Sequence, residues 1–124
     1  MHYGYDEYLA HEEACNTKNE YLDGQIYAMA GASPAHNRLA SAVTGLLVPQ
    51  LLRGRCRTYS SDQRVRVRAT GLATYPDVTV ICGPVELDPD DPRQHTALNP
   101  ALLVEVLSSS TEEYDRGEKF EHYK

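Results

Sequence analysis

The chain has 124 residues, 41% of them hydrophobic and 24% charged, which suits one globular domain over residues 1–124 and excludes two ordinary ones. No apolar run reaches the roughly 20 residues of a membrane span, and the N-terminus lacks the features of a secretory signal. We therefore expect a cytoplasmic protein without a membrane partner. Cys15, Cys56 and Cys82 form no Cys-x-x-Cys pair and are odd in number, which predicts reduced thiols.

The charge is distributed unevenly along the chain. Twelve Lys and Arg against 18 Asp and Glu give a formal net charge of −6, which by itself argues against a nucleic-acid partner. Residues 53–68, however, contain six arginines and a single acid, Asp62. Such a basic stripe can attract an anionic polymer such as DNA, because phosphates respond to the local field. A solvated strand face is the alternative explanation for these arginines.

The N-terminal region predicts a helix followed by a hairpin. Residues 5–15 are expected to form a short amphipathic surface helix, since apolar side chains recur at helical spacing among acids: Tyr5, Tyr8 and Leu9. Residues 20–29 contain two β-prone runs on either side of Asp23-Gly24, which is a typical turn sequence. The sequence therefore predicts a β-hairpin here.

A second helix is expected to begin at Ser33-Pro34. Serine is a favoured N-cap, and the fixed φ of proline suits the first helical position. The apolar residues that follow form one stripe, which we expect to face the core: Leu39, Val43, Leu46, Leu47 and Leu51.

The second half of the chain predicts three strands and a helix. Residues 57–68 are β-like, and alternation with valines should place three guanidinium groups on one exposed face: Arg64, Arg66 and Arg68. Residues 75–82 predict the next strand, and residues 83–99 form a long polar loop. Residues 101–107 are almost continuously apolar, which is typical of a strand buried on both sides of a sheet. A capping box then predicts a helix over 111–124.

Glu105 is the most informative residue, because it interrupts that apolar strand. A buried carboxylate loses hydration worth several kcal/mol unless a positive partner compensates it. A hard divalent cation would do so. The alternatives are that Glu105 faces solvent at a sheet edge or pairs with an arginine.

Two further residues could join Glu105 in one site. Asp77 opens the preceding strand, so its carboxylate would converge with Glu105 if the two strands are neighbours. Taken alone, Pro76-Asp77 is a common turn dipeptide. Lys119 lies on the following helix and could return over the acids, although an ion pair with Asp115, four residues earlier, competes with that placement.

The ordered series of motifs resembles the Uma2 family within the PD-(D/E)XK nuclease superfamily. The resemblance runs from about residue 5 to the end of the chain. It rests on Glu20-Tyr21-Leu22-Asp23-Gly24, Met29-Ala30-Gly31, His36 at the head of a helix, Tyr75-Pro76-Asp77-Val78, Glu105-Val106-Leu107-Ser108, and Asp115-Arg116-Gly117-Glu118-Lys119-Phe120 with Tyr123.

The resemblance implies a fold and an activity. The fold would be α/β (α+β), a restriction-endonuclease-like mixed sheet with flanking helices behind an N-terminal helix and hairpin. The activity would be Mg²⁺- or Mn²⁺-dependent hydrolysis of DNA. Asp77, Glu105 and Lys119 would be catalytic, with the metal held by the two acids and the main-chain carbonyl of Val106.

Other site residues implied by the resemblance are less specific. Glu20 is an additional acid that could reach the site from the hairpin, a solvated strand-end carboxylate being the alternative. The expected phosphate contacts are Arg64, Arg66 and Arg68. The superfamily's lysine normally follows the strand acid by two residues, where this chain has Leu107, so the lysine of the closer family maps to Lys119.

Besides Leu107 in place of the lysine, the chain differs from the family in length. Its members usually continue into another core strand, so the final core strand is expected to be missing after Lys124. Either the sequence is a fragment or truncated product, or a second chain supplies the edge, as in a homodimer; an uncovered edge would invite pairing.

Two other functions are alternatives to an active nuclease. A catalytically inactive module that binds DNA or another partner is favoured by the short length and opposed by the retained acids and lysine. A hydrolase using Ser108, Ser109 or Ser110 with His36 is disfavoured, because no Gly-x-Ser-x-Gly turn surrounds the serines. We interpret His36 as a packed or capping residue.

Overall fold

A computed structural model of the chain describes residues 2–107, which contain two helices and eight short strands. The helices are α1 (Tyr5–Ala14) and α2 (Pro34–Leu51). The strands are β1 (Asn19–Leu22), β2 (Gln25–Ala28), β3 (Cys56–Tyr59), β4 (Arg64–Arg66), β5 (Ala73–Thr74), β6 (Val78–Cys82), β7 (Thr96–Ala97) and β8 (Leu102–Val104). The mixed α+β class is confirmed, whereas the helix expected over 111–124 lies outside the described residues.

The strands are divided between two sheets. The larger has the order β2-β1-β5-β4-β7, and the smaller has the order β3-β6-β8. The larger sheet is mixed, because β4 and β7 pair in parallel while its other ladders are antiparallel. The smaller sheet is antiparallel throughout the described residues. Neither helix in this part of the chain is long and apolar enough to cross a membrane.

One long antiparallel hairpin connects the two sheets. Its first arm is β3 followed by β4, and its second arm is β5 followed by β6. Val65 pairs with Thr74 in the larger sheet, and Thr58 pairs with Val80 in the smaller one. Both arms therefore pass from one sheet to the other, and the second arm makes the passage through residues 75–77.

The open end of this hairpin carries a disulfide. Cys56 and Cys82 are register partners on β3 and β6, and their sulfurs are bonded. The expectation of three reduced thiols is wrong for this pair, because the hairpin brings together two cysteines that are 26 residues apart. Cys15 is free.

The N-terminal elements pack as expected. Tyr8 and Leu9 are buried on the inner face of α1, where they join Tyr21 and Ala73 in one apolar cluster. The Tyr8 hydroxyl donates to the carbonyl of Asn19 at 2.7 Å, so burial of this ring leaves no unpaired hydroxyl. The predicted amphipathic helix is confirmed.

The local turn and cap signals are also confirmed. Asp23 and Gly24 have φ values of 50° and 76°, the left-handed conformations that a tight hairpin turn requires. The Ser33 hydroxyl accepts a hydrogen bond from the backbone N–H of His36 at 3.2 Å and so caps α2.

Two expectations about burial are wrong. Within α2 no residue is fully buried, and Leu39 and Leu46 are exposed. The half-buried positions of α2 recur at 36, 40, 43, 44, 47 and 51, and this is the face that the helix turns to the rest of the protein. Leu39 and Leu46 lie beside that face. Leu102 on β8 is likewise exposed. It lies on the last strand of the smaller sheet, whose outer edge has no paired strand within residues 2–107.

Candidate active site

Asp77 stands where the chain passes from the larger sheet to the smaller one. It directly precedes β6 and follows the buried residues Tyr75 and Pro76. Its Oδ2 accepts a hydrogen bond from the backbone N–H of Val106 at 2.6 Å, just beyond the end of β8. The Asp77 side chain is 15% exposed. This shielded carboxylate therefore joins the start of β6 to the segment that carries Glu105.

Glu105 lies at the same end of the smaller sheet. Val78 and Val104 are opposite each other in the β6–β8 ladder, with Asp77 just before this pair and Glu105 just after it. If the register continued by one residue, the two acids would be opposite each other with their Cβ atoms about 5 Å apart. Glu105 is half-buried. The two acids thus flank adjacent strands, as the sequence predicts.

The carboxylate oxygens at this end of the sheet are of the type that Mg²⁺ prefers as ligands. Both contacts that residues 2–107 make with the Asp77 carboxylate fall on Oδ2, so Oδ1 is the oxygen a cation could take. Carboxylates and main-chain carbonyls are hard oxygen ligands, and Mg²⁺ is commonly held by one or two carboxylates. The described residues contain no group of three or more His, Cys, Asp or Glu placed to hold a metal. The candidate ligands that the structure brings to this end of the sheet are therefore the two acids, Asp77 and Glu105.

His36 contacts Asp77 from helix α2. Its Nε2 lies 3.2 Å from Asp77 Oδ2, and its side chain is 16% exposed. This shielding agrees with the interpretation of His36 as a packed residue, whereas the contact of its ring with a side chain 41 positions later in the chain was not predicted. The sequence signals for His36 were its place in the first turn of the helix predicted from Ser33-Pro34 and its place among the motifs that resemble the family.

Glu20 is buried in the larger sheet. It lies on β1, and its Oε2 accepts a hydrogen bond from the Thr74 hydroxyl at 2.6 Å. A solvated strand-end carboxylate is therefore the wrong description, because the neighbouring β5 covers the residue. Thr74 is three residues before Asp77, so Glu20 contacts the chain segment that leads from the larger sheet to Asp77. Lys119 lies outside the described residues.

The three arginines of the predicted exposed face have different environments. Arg64 is buried, the guanidinium of Arg66 lies 3.4 Å from the centroid of the Tyr5 ring, and Arg68 is exposed, 3.8 Å from Glu86. The expectation of one shared exposed face is wrong for Arg64. The loop that leads to β7 folds over β4 and covers that face.

Arg64 is the centre of a buried polar network. Its guanidinium donates to three oxygens: Thr96 Oγ1 at 2.7 Å, the Tyr75 hydroxyl at 3.0 Å and Asp91 Oδ2 at 3.0 Å. The Tyr75 hydroxyl in turn donates to Glu12 at 2.7 Å. The pKa of Tyr75 is raised to about 12, mainly by burial and secondly by the hydrogen bond to Glu12. The network thus connects α1 to β4, β5 and the loop before β7.

Asp91 is the acid of this network. Burial alone would raise the pKa of its carboxyl group. Four donors outweigh burial and lower that pKa: the Thr96 hydroxyl, the backbone N–H groups of Arg93 and His95, and the Arg64 guanidinium. The folded state therefore favours the ionised form of Asp91.

We expect the fold to lose stability in acid through Asp91. Because its pKa is lower in the folded than in the unfolded state, its contribution is complete above the unfolded value of about 3.9. That contribution is lost as the pH falls through the lower folded value. Urea unfolding should therefore show a steeper loss of stability below about pH 4 for the wild type than for Asp91→Asn. Equal pH dependence of the two proteins would contradict this assignment.

Two proteins of Synechocystis sp., both described as uncharacterized, are similar to the chain. One is 43% identical over 119 residues, which cover 95% of this chain and 60% of that protein. The other is 36% identical over 118 residues, which cover 95% of this chain and 66% of that protein. The chain thus spans about three fifths to two thirds of the length of these relatives.

A solved structure shares the fold. It is the crystal structure of a protein from Anabaena variabilis described as a putative nuclease belonging to DUF820, with a TM-score of 0.67. The similarity covers 92% of this chain and 65% of that protein at 14% sequence identity. The likeness therefore concerns the arrangement of helices and strands.

A family model accounts for nearly the whole sequence. The model, Uma2, is described as "Putative restriction endonuclease" and matches residues 5–124. The matched range includes both acids at the shared sheet end, Asp77 and Glu105, as well as Lys119. The chain belongs to the Uma2 family.

Proposed function

We propose that the protein is a metal-dependent endonuclease that hydrolyses phosphodiester bonds in DNA. The observation that carries the proposal is the contact between Asp77 Oδ2 and the backbone N–H of Val106, which fixes one acid beside the segment that bears the other. Family membership and the fold shared with the Anabaena protein support a nuclease. The metal, the substrate and the residue roles are the proposed part.

Each site residue would have a separate role. Asp77 and Glu105 would hold Mg²⁺ or Mn²⁺ together with the carbonyl of Val106. When bound, the cation supplies positive charge beside the scissile phosphate, which favours attack by water. Lys119 would orient the water or stabilise the negative charge that develops on the phosphate oxygens.

The DNA contacts would come from the arginines that remain accessible. Arg68 is exposed beyond β4, and Arg53 and Arg55 are exposed between α2 and β3. The carbonyl of Arg55 accepts a hydrogen bond from Gly83 N–H at 3.0 Å. Gly83 follows Asp77 by six residues, so Arg55 lies roughly 20 Å from Asp77 along β6. A duplex carries a charge about every 1.7 Å of its axis, so one DNA molecule can reach both places.

Replacing Arg53, Arg55 and Arg68 by Ala should weaken DNA binding and flatten its salt dependence. Each lost phosphate contact should reduce the slope of log K against log[salt] by about 0.9. Fluorescence anisotropy with duplex DNA at several salt concentrations measures the slope. Arg57→Ala is the matched control, because its Nη1 donates to the carbonyls of Leu51, Gly54 and Cys56. An unchanged slope in the triple variant would show that Arg53, Arg55 and Arg68 do not contact the DNA phosphates.

Plasmid nicking tests the proposed function directly. We expect residues 1–124 alone to nick supercoiled DNA weakly or not at all. A chain extended by the family's closing strand should nick it with Mg²⁺ or Mn²⁺ and lose that activity in EDTA. Absence of both nicking and metal binding would contradict the proposal. That outcome would favour a nuclease fold that serves as a DNA-binding or interaction module.

A further inference from the structure

Asp77 Oδ2 is held by donors from two different elements. The backbone N–H of Val106 approaches from the end of β8 at 2.6 Å, and the Nε2 of His36 approaches from α2 at 3.2 Å. Both donors meet the same oxygen. The carboxylate is therefore fixed in rotation about its own axis, with Oδ1 as the oxygen directed away from these two contacts.

His36 is itself held in a defined position. It is in the first turn of α2, and its backbone N–H donates to the Ser33 hydroxyl at 3.2 Å. The adjacent Asn37 N–H donates to the Ser33 carbonyl at 3.0 Å. Because the cap fixes the first turn of the helix, the imidazole projects from a rigid element.

Within residues 2–107, only one of the two imidazole nitrogens of His36 has a hydrogen-bond partner. A carboxylate oxygen only accepts hydrogen bonds, so Nε2 must carry the proton that is shared with Asp77. Nδ1 is buried and has no hydrogen-bond partner among residues 2–107. A buried polar atom without a partner lowers stability. An apolar side chain at position 36 would avoid this loss of stability. The contact of Nε2 with Asp77 therefore points to a role of the imidazole other than stability.

We propose that His36 is a positioning residue, which aligns the Asp77 carboxylate so that Oδ1 faces the metal. The inference rests on the proposed function and adds to it a residue that touches neither metal nor DNA. Hydrogen bonds to a ligating carboxylate set its orientation, and their loss typically weakens metal affinity or activity about 10- to 100-fold.

A matched pair of variants tests this role. Glutamine can place an amide N–H near the position of Nε2, whereas the shorter asparagine places it near Nδ1, out of reach of Asp77. Titration calorimetry of the whole 124-residue chain with Mn²⁺ alone should show about 10- to 100-fold weaker binding for His36→Asn. His36→Gln should stay within about threefold of the wild type.

The outcomes separate this inference from the proposed function. If the wild type binds Mn²⁺, Asp77→Ala does not, and His36→Asn binds like the wild type, the positioning role is overturned and the nuclease proposal stands. If the wild type itself binds no Mn²⁺, the proposed metal site fails and this inference fails with it.

A spectroscopic measurement needs no substitution at His36. The ¹⁵N resonance of its Nε2 should show a hydrogen-bonded N–H in the wild type and should shift in Asp77→Ala. The same resonance unchanged in Asp77→Ala would overturn the contact on which the role depends, even if His36→Asn failed to fold.

Discussion

Replacing Asp77 by Asn is expected to lower Mg²⁺-dependent DNA cleavage by at least about 100-fold while the fold is kept. The amide oxygen can still accept from Val106 N–H and from His36 Nε2, which now contact Oδ2 at 2.6 Å and 3.2 Å. The variant lacks the negative charge that attracts a divalent cation. A loss of two orders of magnitude corresponds to about 2.7 kcal/mol of transition-state stabilisation. Plasmid nicking measures the rate, and calorimetry with Mg²⁺ measures the affinity.

Two controls make this result specific. Asp77→Ala removes the same charge and also leaves the Val106 N–H without its acceptor, so it should lose roughly 1–3 kcal/mol of stability in addition to activity. Asp62→Ala removes a carboxylate that is exposed and paired with Lys18 at 2.7 Å, so cleavage should stay within about twofold. Wild-type nicking by Asp77→Asn would exclude Asp77 as a metal ligand.

The largest loss of stability is expected from Arg64→Met, at about 3 kcal/mol or more. Arg64 and Asp91 are 3.0 Å apart, with side-chain exposures of only 5% and 2%. Removing one partner of a buried ion pair leaves an uncompensated charge, which typically costs about 3–5 kcal/mol. The backbone N–H groups of Arg93 and His95 and the Thr96 hydroxyl still donate to Asp91, which favours the lower end of that range.

Urea unfolding at neutral pH gives the free energy needed to check this value. Arg68→Met is the matched control, because that side chain is exposed and lies 3.8 Å from Glu86. Surface pairs of this kind contribute at most about 1 kcal/mol. If the two methionine variants were equally stable, the buried network around Arg64 would not be the support that its geometry indicates.

Local sequence signals predicted the local structure well. The Asp23-Gly24 turn depends on the backbone conformations of its own two residues, and the start of α2 depends on Ser33. For the turn and the cap, the cause is within a few residues of the effect. The prediction that Asp77 and Glu105 adjoin neighbouring strands also agrees with the structure, but their role as a site remains a proposal.

Long-range contacts account for what the sequence did not show. Alternation with valines predicted that Arg64 is exposed, but the loop before β7 covers its side chain, which donates to Asp91 of that loop. The exposure of Leu102 follows from strand order, which its apolar neighbours do not reveal. Likewise, the contact between His36 and Asp77 spans 41 residues, and no spacing rule connects a helix cap to a strand start over that distance.

The disulfide between Cys56 and Cys82 makes part of the chain a covalent ring, with a sequence separation of 26 residues. Closing a ring of that size reduces the entropy of the unfolded chain by an amount equivalent to about 3–4 kcal/mol. Asp77 lies inside the ring, whereas His36 precedes it and Val106 follows it. The disulfide therefore limits how far β3 can separate from β6, the strand that Asp77 precedes, but it does not restrain His36 or Val106, which contact the carboxylate. The site therefore forms when two segments outside the disulfide-closed ring, one carrying His36 and one carrying Val106, pack against Asp77 inside it.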